Sequence, residues 1–498
     1  MDLASLLMSG TSPISATTGA MGMSDVDALS KALQAGYGSD VAQLTGGGAL
    51  RVQSLDMTMQ ATIQENRHFR LFNKIPKPKA SATVDEWTEQ SGVGGFLGGS
   101  TNSEIGQITQ ATGEYARRVG QVKYLSTQRQ VSLVSQMQDN MVDPQSVEYT
   151  NGAKQLLSDA EYLSFEGDSA VVPTEFDGIY SQISKGVAAG TVDGDNLLDC
   201  RGASLSGVNL VNKAAATISK YGNFGTPTDI FFSQETQADF DTGLDPAFRV
   251  PLTDVPGGGI SIGSPVVGIR TSWGNIATQP DVFVRDSDMR QPFEIGFPAV
   301  ANAQAGLKPA VAVAALAAAN TQSQFTAQQA GNYYYYVTGT NLSGQSTGVV
   351  SDQVAVAAGM GATLTISRSA AAQETGYVIY RSRLNGGNVI AGSVPGEGSD
   401  FREVCRIACA GATTVWTDLN QDIPGTTKGF ILNLTKGDTA LLWRQMMPMI
   451  RFALYPTNAA VIPWAQLLFG YLRISKLRQH VAIKNILPNG SIWRPFGS

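Results

Sequence analysis

The chain is poor in the residues that metal centres and disulfide scaffolds need. Its 498 residues include two histidines, His68 and His480, and three cysteines, Cys200, Cys405 and Cys409. Two histidines almost exclude a multi-histidine metal centre, and each reads as an ordinary packing or surface residue. Three scattered cysteines cannot make a disulfide framework, which points to a reducing compartment and to synthesis in a cytoplasm. Cys405 and Cys409 are four apart but sit in a strand-like setting without partner ligands, so they read as small buried apolar side chains. Long hydrophobic runs are missing too. The longest, Ala310 to Ala319, falls well short of the roughly 20 residues that cross a bilayer. Met1-Asp2-Leu3 lacks the positive start of a signal peptide. The expectation is a chain neither secreted by that route nor embedded in a membrane.

Charge is scarce as well. Asp, Glu, Lys and Arg make up 15% of the chain, against about 25% in an ordinary soluble domain. A monomer so poor in charge has little with which to cover its surface, whereas a subunit whose faces are covered by neighbours needs less, because interface centres are depleted in Lys, Glu and Asp. A Gly/Ser/Thr-rich soluble β protein fits the same figures. The net charge of −6 excludes a surface that is a polycation throughout, so avid nucleic-acid binding is not the main task.

What is abundant is glycine, 54 residues, and it is unevenly placed. Residues 1–72 read as a loose arm with turn clusters at Gly10 to Thr18 and Gly46 to Gly48. One short helix fits inside it, capped by Ser24, with Val26, Leu29 and Leu33 on one face and Gly36 at its end. From residue 73 to 131 the chain reads as a long two-stranded excursion. Lys74-Ile75-Pro76-Lys77-Pro78-Lys79 forms a stiff basic lead-in, Thr83 to Thr88 reads as strand, Gly92 to Gly99 as a flexible tip, and Tyr115 to Val131 as the returning limb. Such an arm buries too little to stand alone in water, so it requires a surface to lie on.

An α+β body follows over residues 132–306. Its spine is a helix over 144–166, with Asp143 as cap, Pro144 at the first position, a stripe of Tyr149, Ala153, Leu156, Leu157, Ala160 and Leu163, and a stop at Gly167. A second helix is expected over Ser206 to Tyr221, then a strand over Asp229 to Ser233 and a helix opened by Ser233. Between residues 307 and 425 helical periodicity gives way to short aromatic or β-branched runs: Asn332 to Thr338, Gln353 to Ala357, Ala362 to Ile366, Gly376 to Arg381, Val389 to Gly392 and Thr413 to Thr417. That pattern is the signature of a β-sandwich. Residues 426–498 return to the α+β character, with a strand through Met449 to Tyr455, a helix from Trp464 to Ile474 and a strand from His480 to Ile486. The sandwich is therefore expected as an insertion in a loop of the body.

Catalytic constellations are not legible. Gly259-Ile260-Ser261-Ile262-Gly263 matches the G-x-S-x-G pattern, but no plainly hydrophobic strand precedes it and no helix follows; in a chain this rich in Gly and Ser it reads as a chance match. A hydrolase with an accessory sandwich stands as a distant alternative whose minimum requirement is loss of activity on Ser261→Ala. No P-loop or complete dinucleotide fingerprint is present. Asp193, Asp195 and Asp199 miss the EF-hand spacing and its Gly, so they read as a solvated acidic loop. No cofactor, metal or catalytic residue is expected. The basic residues Lys74, Lys77, Lys79, Arg117, Arg118 and Lys123 either form a solvated face or pair with acidic residues of an adjacent subunit, where they would fix register more than add affinity.

The order of these parts resembles the major capsid proteins of tailed bacteriophages, the Hong Kong 97-type capsid fold. The resemblance is carried by Asn73 to Trp87, by the spine ending Ala160-Glu161-Tyr162-Leu163-Ser164-Phe165-Glu166-Gly167, by Glu175-Phe176-Asp177-Gly178-Ile179, and by the runs from Ala460-Val461-Ile462-Pro463-Trp464 to Asn485-Ile486. It implies an N-terminal arm and a long β-hairpin E-loop lying across neighbours, a peripheral domain holding the spine, and an axial domain whose loops meet at capsomer centres. It also implies pentamers and hexamers of this chain in an icosahedral shell, scaffold, portal and decoration proteins as partners, and weak non-specific contact of the inner face with packaged double-stranded DNA. The virion is then the place of work. Tyr333 to Thr338, Asn341 to Ser346, Gly376 to Ser382 and Val415 to Asp418 resemble a fibronectin III or immunoglobulin-like module, which in such capsids sits on the outer surface. An encapsulin-type compartment and a phage tail, baseplate or adhesin protein are the alternative readings.

Overall fold

The computed structural model describes residues 68–108, 110–138, 143–205, 207–243, 268–284, 308–390, 399–435, 437, 439–456 and 459–497. The expected arm helix, the Gly259 to Gly263 match and the boundary at Leu307 lie outside the described residues.

The chain enters through α1 (Leu71–Lys74), a single turn. It stops there because Ile75 precedes Pro76, and the proline ring disfavours helical ψ at the residue before it. β1 (Val84–Gly92) and β2 (Glu114–Gln121) then form an antiparallel hairpin, register Val84 to Gln121 through Gln90 to Tyr115. β3 (Lys123–Ser132) does not continue the hairpin. It joins a different sheet, so the excursion ends at Gln121 rather than at Val131 as the unbroken β pattern suggests. α2 (Leu133–Met137) follows.

The spine is α3 (Pro144–Glu166), and its cap is as expected: the Asp143 carboxylate accepts from the Gln145 and Ser146 amides at 3.1 and 3.3 Å. Its buried face differs from the expected stripe. Leu156 and Ala160 are buried, Tyr149, Ala153, Leu157 and Leu163 only partly, and the fully buried side chains of the last two turns include Glu161 and Phe165. α4 (Ile179–Ala188), β4 (Leu197–Asp199), α5 (Asn209–Ser219), β5 (Asp229–Phe232), α6 (Gln234–Gly243), β6 (Gly268–Thr271) and β7 (Gly274–Pro280) complete this half of the body. Asp193 and Asp195 are ion-paired with Lys220 at 2.6 Å and Lys213 at 3.6 Å, so the acidic loop is tied to α5 and the residue that follows it.

Ten strands follow: β8 (Ala310–Ala315), β9 (Gly331–Tyr333), β10 (Tyr335–Asn341), β11 (Gly344–Gln345), β12 (Val349–Val350), β13 (Val354–Val356), β14 (Ala362–Ser367), β15 (Gly376–Ser382), β16 (Phe401–Ala408) and β17 (Thr413–Asp418). They form a sheet β11-β10-β15-β16 with β12 also on β10, a sheet β17-β14-β8, and the pair β13-β9. Inward-facing Tyr335, Val337, Tyr377 and Ile379 of the first meet Leu364 and Ile366 of the second. The strand expected at Val389 is not one: Val389 and Ile390 are irregular, and the pairing to β15 is made by Phe401–Ala408. Its Arg402, Glu403 and Arg406 break the apolar pattern by which a strand is recognised.

The last four strands are β18 (Thr427–Leu432), β19 (Leu441–Ala453), β20 (Val461–Ile474) and β21 (Val481–Ile486). β20 corrects the helix expected over Trp464 to Ile474. Trp464, Leu467, Leu468 and Tyr471 do fall at helical spacing, but the segment is rich in β-branched and aromatic residues and pairs on both edges, in the order β19-β20-β3; ladder pairing on two sides outweighs an ambiguous period. Gly470 admits the Trp443 ring, which a Cβ there would meet at 2.6 Å.

A six-stranded sheet, β4-β21-β18-β5-β7-β6, is the centre of the body, with β21/β4 and β5/β7 parallel and the rest antiparallel. Side chains alternate between its faces along each strand. Ile431, Ile230 and Ile483 face α5, while Phe430 and Phe231 face the spine, where Phe165 sits 5.2 and 5.8 Å from their rings. Fully burying Phe165 contributes about 2 kcal/mol or more. The spine also lies on the three-stranded sheet: Tyr149 packs edge-on against Trp464 at 4.5 Å, and Gln466 donates to the Tyr149 carbonyl at 2.9 Å.

Candidate assembly surface and its anchor

The hairpin β1/β2 has two faces. Asp85, Trp87, Glu89, Ala116, Arg118 and Gly120 turn towards the body; Val84, Glu86, Thr88, Gln90, Tyr115, Arg117 and Val119 turn away. Beyond Gly92 the chain loops out to Gly113 without strand structure, and three tip glycines, Gly94, Gly95 and Gly98, have positive φ, a region open to glycine at no steric cost. This tip carries large apolar side chains in solvent: Val93, Phe96, Leu97, Ile105 and Ile108 are between 77% and 95% exposed. With Tyr115 and Val119 on the outward face they form a run of exposed apolar groups. Contiguous exposure of this kind marks a contact surface, not a solvated loop.

A charged cluster fixes the base of the hairpin. Asp85, 8% exposed, accepts from Arg444 Nε and Nη2 at 3.0 Å each, from the Tyr471 hydroxyl at 2.7 Å and from Arg473 Nη1 at 3.2 Å. Burial raises the Asp85 pKa, but the hydrogen bonds from Arg444 and Tyr471 and the charges of Arg444 and Arg473 outweigh it and hold the carboxyl below its usual value. Arg473 also lies over the Trp87 ring at 4.5 Å. Opposite Asp85, Gly120 leaves room for Tyr471, whose ring a Cβ would meet at 2.3 Å. The arm is thus rigid at its root.

Of the six basic residues singled out in the sequence, five make contacts within the chain. Lys74 pairs with Asp229. Lys77 donates to the Phe72 carbonyl at 2.6 Å and lies 4.4 Å from that ring's centre. Arg117 pairs with Glu86 on the outward face, Arg118 with Glu89 at 3.0 Å on the inward face, and Lys123 donates to the Pro173 carbonyl at 2.7 Å. Lys79 is exposed, its backbone beside Gln445 of β19. The structure thus divides the six between the lead-in, the hairpin and the base of β3. Sequence reading missed the Asp85, Arg444, Tyr471 and Arg473 cluster, in which Asp85 lies more than 350 residues from each of the other three. The one local signal was a carboxylate on the same strand face as Trp87.

A cavity of about 260 Å³ lies where β16 meets α3, α4, β18 and β21. Its charges are matched: Lys428 pairs with Glu166, Lys484 with Asp422 at 2.9 Å, Lys185 with Asp168 at 2.8 Å, and Arg406 with Glu403 at 3.1 Å. The Cys405 thiol beside them is pushed well above its ordinary pKa by burial and the nearby carboxylates, the opposite of an activated nucleophile. Among the described residues no three His, Cys, Asp or Glu side chains are grouped to hold a metal ion, and no helix is long and apolar enough to cross a membrane.

An α+β body, a rigidly rooted arm with an apolar tip, and charges engaged with one another define a structural protein. No family model matches the chain. Relatives are found along nearly its whole length: a protein of Enterococcus phage phiEF24C, provisionally named major capsid protein, is 24% identical over 477 residues, covering 92% of this chain and 94% of its own. The major capsid proteins of Staphylococcus phages S25-3 and K are each 23% identical over 473 residues, with the same coverage. Among solved structures, the capsid of a native GTA particle is similar over 90% of this chain and 99% of its own at 9% identity and a TM-score of 0.45, and the Mycobacterium phage Cain structure over 91% and 100% at 8% identity and a TM-score of 0.42. The chain is a structural head-shell protein, similar along nearly its whole length to proteins named as phage major capsid proteins.

Proposed function

We propose that this chain builds an icosahedral head around a double-stranded DNA genome by repeated heterologous contact with copies of itself, closing into pentamers and hexamers. Within residues 73–131, the hairpin 84–121 acts as the reaching element. The observation that carries the reading is the hairpin: an apolar, glycine-rich tip held out on a root that cannot swing. A two-stranded arm is marginal alone, so its ordering is coupled to burial on a neighbouring copy, which offsets the conformational entropy of the tip. Lys79, exposed on the lead-in, meets acidic groups of the neighbour and sets register. The relatives are structural proteins, and no catalytic step is proposed. Residues 1–72 serve as a second arm, 132–306 with 426–498 as the peripheral and axial body, and 307–425 as an immunoglobulin- or fibronectin III-like module on the outer surface. Scaffold, portal and decoration proteins are the proposed partners, the net negative charge keeps DNA contact on the inner face weak, and the host cytoplasm is where shells form.

The test is negative-stain electron microscopy of the full chain beside a variant with Phe96, Leu97, Ile105 and Ile108 all changed to Ser. Shells, rings or tubes from the parent and dispersed subunits from the variant are expected. Equal assembly by both would remove the tip from the mechanism.

A further inference from the structure

The lead-in to the hairpin is held by a site that its chemistry as a tether does not require. Glu161 projects from the penultimate turn of the spine into the core and is fully buried. Its two carboxyl oxygens accept the Leu71 and Phe72 amides at 2.6 and 2.7 Å. On its other side lies Asp281, 1% exposed, just after β7; its backbone amide donates to the Phe232 carbonyl at 2.8 Å and its carboxylate accepts from the Phe283 amide at 2.9 Å. The second Asp281 carboxyl oxygen is buried with no donor of its own, and the Glu161 carboxyl group is its close neighbour. Phe69 stacks on Phe283 at 5.6 Å, so the lead-in and the segment after β7 close over the pair.

Two carboxyl groups in direct contact in a dry site cannot both be ionised without a large penalty, so they hold one proton between them. We propose that Glu161 and Asp281 form a proton-operated latch: with the shared proton in place the lead-in at Leu71 and Phe72 is clamped to the spine, and loss of that proton releases it. The charged groups facing the pair are Arg70 and Lys77, both on the lead-in itself. Lys74 is engaged by Asp229. The cations therefore leave with the segment that opens, and nothing on the spine or on the 281–284 segment neutralises the second charge. Burial and the neighbouring Asp281 carboxylate raise Glu161 well above an ordinary carboxyl, and burial raises Asp281 to about 6. For acids raised in the folded state the native form binds more protons, so the clamp is complete below the unfolded pKa and weakens as pH rises through the folded values. The direction is release on alkalinisation. This inference stands on the geometry of the pair and does not depend on shell assembly.

The test is amide hydrogen exchange at Leu71 and Phe72 in the full-length protein between pH 5.5 and 8.5, corrected for intrinsic base catalysis, in the parent, Asp281→Asn and Glu161→Gln. In the parent, opening is expected to rise with pH, by up to about tenfold per pH unit for the one linked proton. Asp281→Asn removes the charge that forces sharing and flattens that rise. Glu161→Gln cannot ionise and keeps one acceptor for the lead-in, but sets its NH2 against the other lead-in amide, so its protection starts below the parent's and does not fall further as pH rises. A parent slope that persists unchanged in Asp281→Asn or in Glu161→Gln, with far-UV circular dichroism showing both folded, would overturn the latch.

Discussion

Asp85 illustrates how much one carboxylate carries when four donors converge on it. Changing it to Ala leaves Arg444 and Arg473, 18% and 16% exposed, as cations without their counter-ion, which costs about 3 kcal/mol and frees the root of the hairpin. The expected readout is faster proteolysis within residues 84–121 with little change elsewhere. Because the folded pKa is depressed, this contribution is present above the unfolded value and is lost as pH falls through the folded one. Acid should therefore loosen the hairpin root in the parent, whereas the Glu161 and Asp281 pair tightens under the same change. Following cleavage at the hairpin and exchange at Leu71 in one acid titration would separate the two opposite slopes, and slopes of the same sign would contradict the assignment of one or the other.

At the scale of elements, Gly120 shows why β2 and β20 pack as they do. Gly120→Val drives a branched side chain into the Tyr471 ring, and overpacking of this kind costs about 1–3 kcal/mol. The expected result is a hairpin displaced from β20, seen as lost near-UV signal from Tyr471 and Trp87 with the far-UV spectrum kept. Much of the element pattern was legible in the sequence. The spine announced both its ends through Asp143, Pro144 and Gly167, because caps and stops are local chemistry. The hairpin limbs and most strands between Asn332 and Asp418 followed from β-branched and aromatic runs. What failed was non-local. β20 carries a period that fits helix or strand until its partners β19 and β3 are known, β16 hides behind its charges, and Glu161 stands on the apolar side of a helix for a reason found 90 residues upstream in the Leu71 and Phe72 amides.

At the scale of the molecule, the strands between 308 and 425 are clasped to the body rather than tethered to it. Arg406 donates to the Tyr162 hydroxyl of the spine at 2.9 Å, Trp493 donates to the Asp400 carbonyl at 3.2 Å, and the Leu384 amide donates to the Pro495 carbonyl at 2.8 Å. Trp493→Ala in the full-length chain should cost about 3 kcal/mol and appear in calorimetry as a separate, earlier transition for these strands; a single unshifted transition would show that Trp493 does not couple them. The sandwich was expected from sequence as an insertion in a loop of the body, and the contacts that bind it were not legible because they involve residues far along the chain.

An interior strand of each body sheet comes late. β21 lies between β4 and β18, and β20 between β19 and β3, so residues 461–486 supply a strand that is paired on both edges in each. A ribosome that has made the hairpin, the spine and the whole 308–425 region has still completed neither body sheet. The apolar tip is therefore displayed on a body that remains unfinished until nearly the last codons are read. A chain terminated before residue 471 lacks Tyr471 and Arg473, and with them two of the side chains that hold Asp85 at the root presenting the tip.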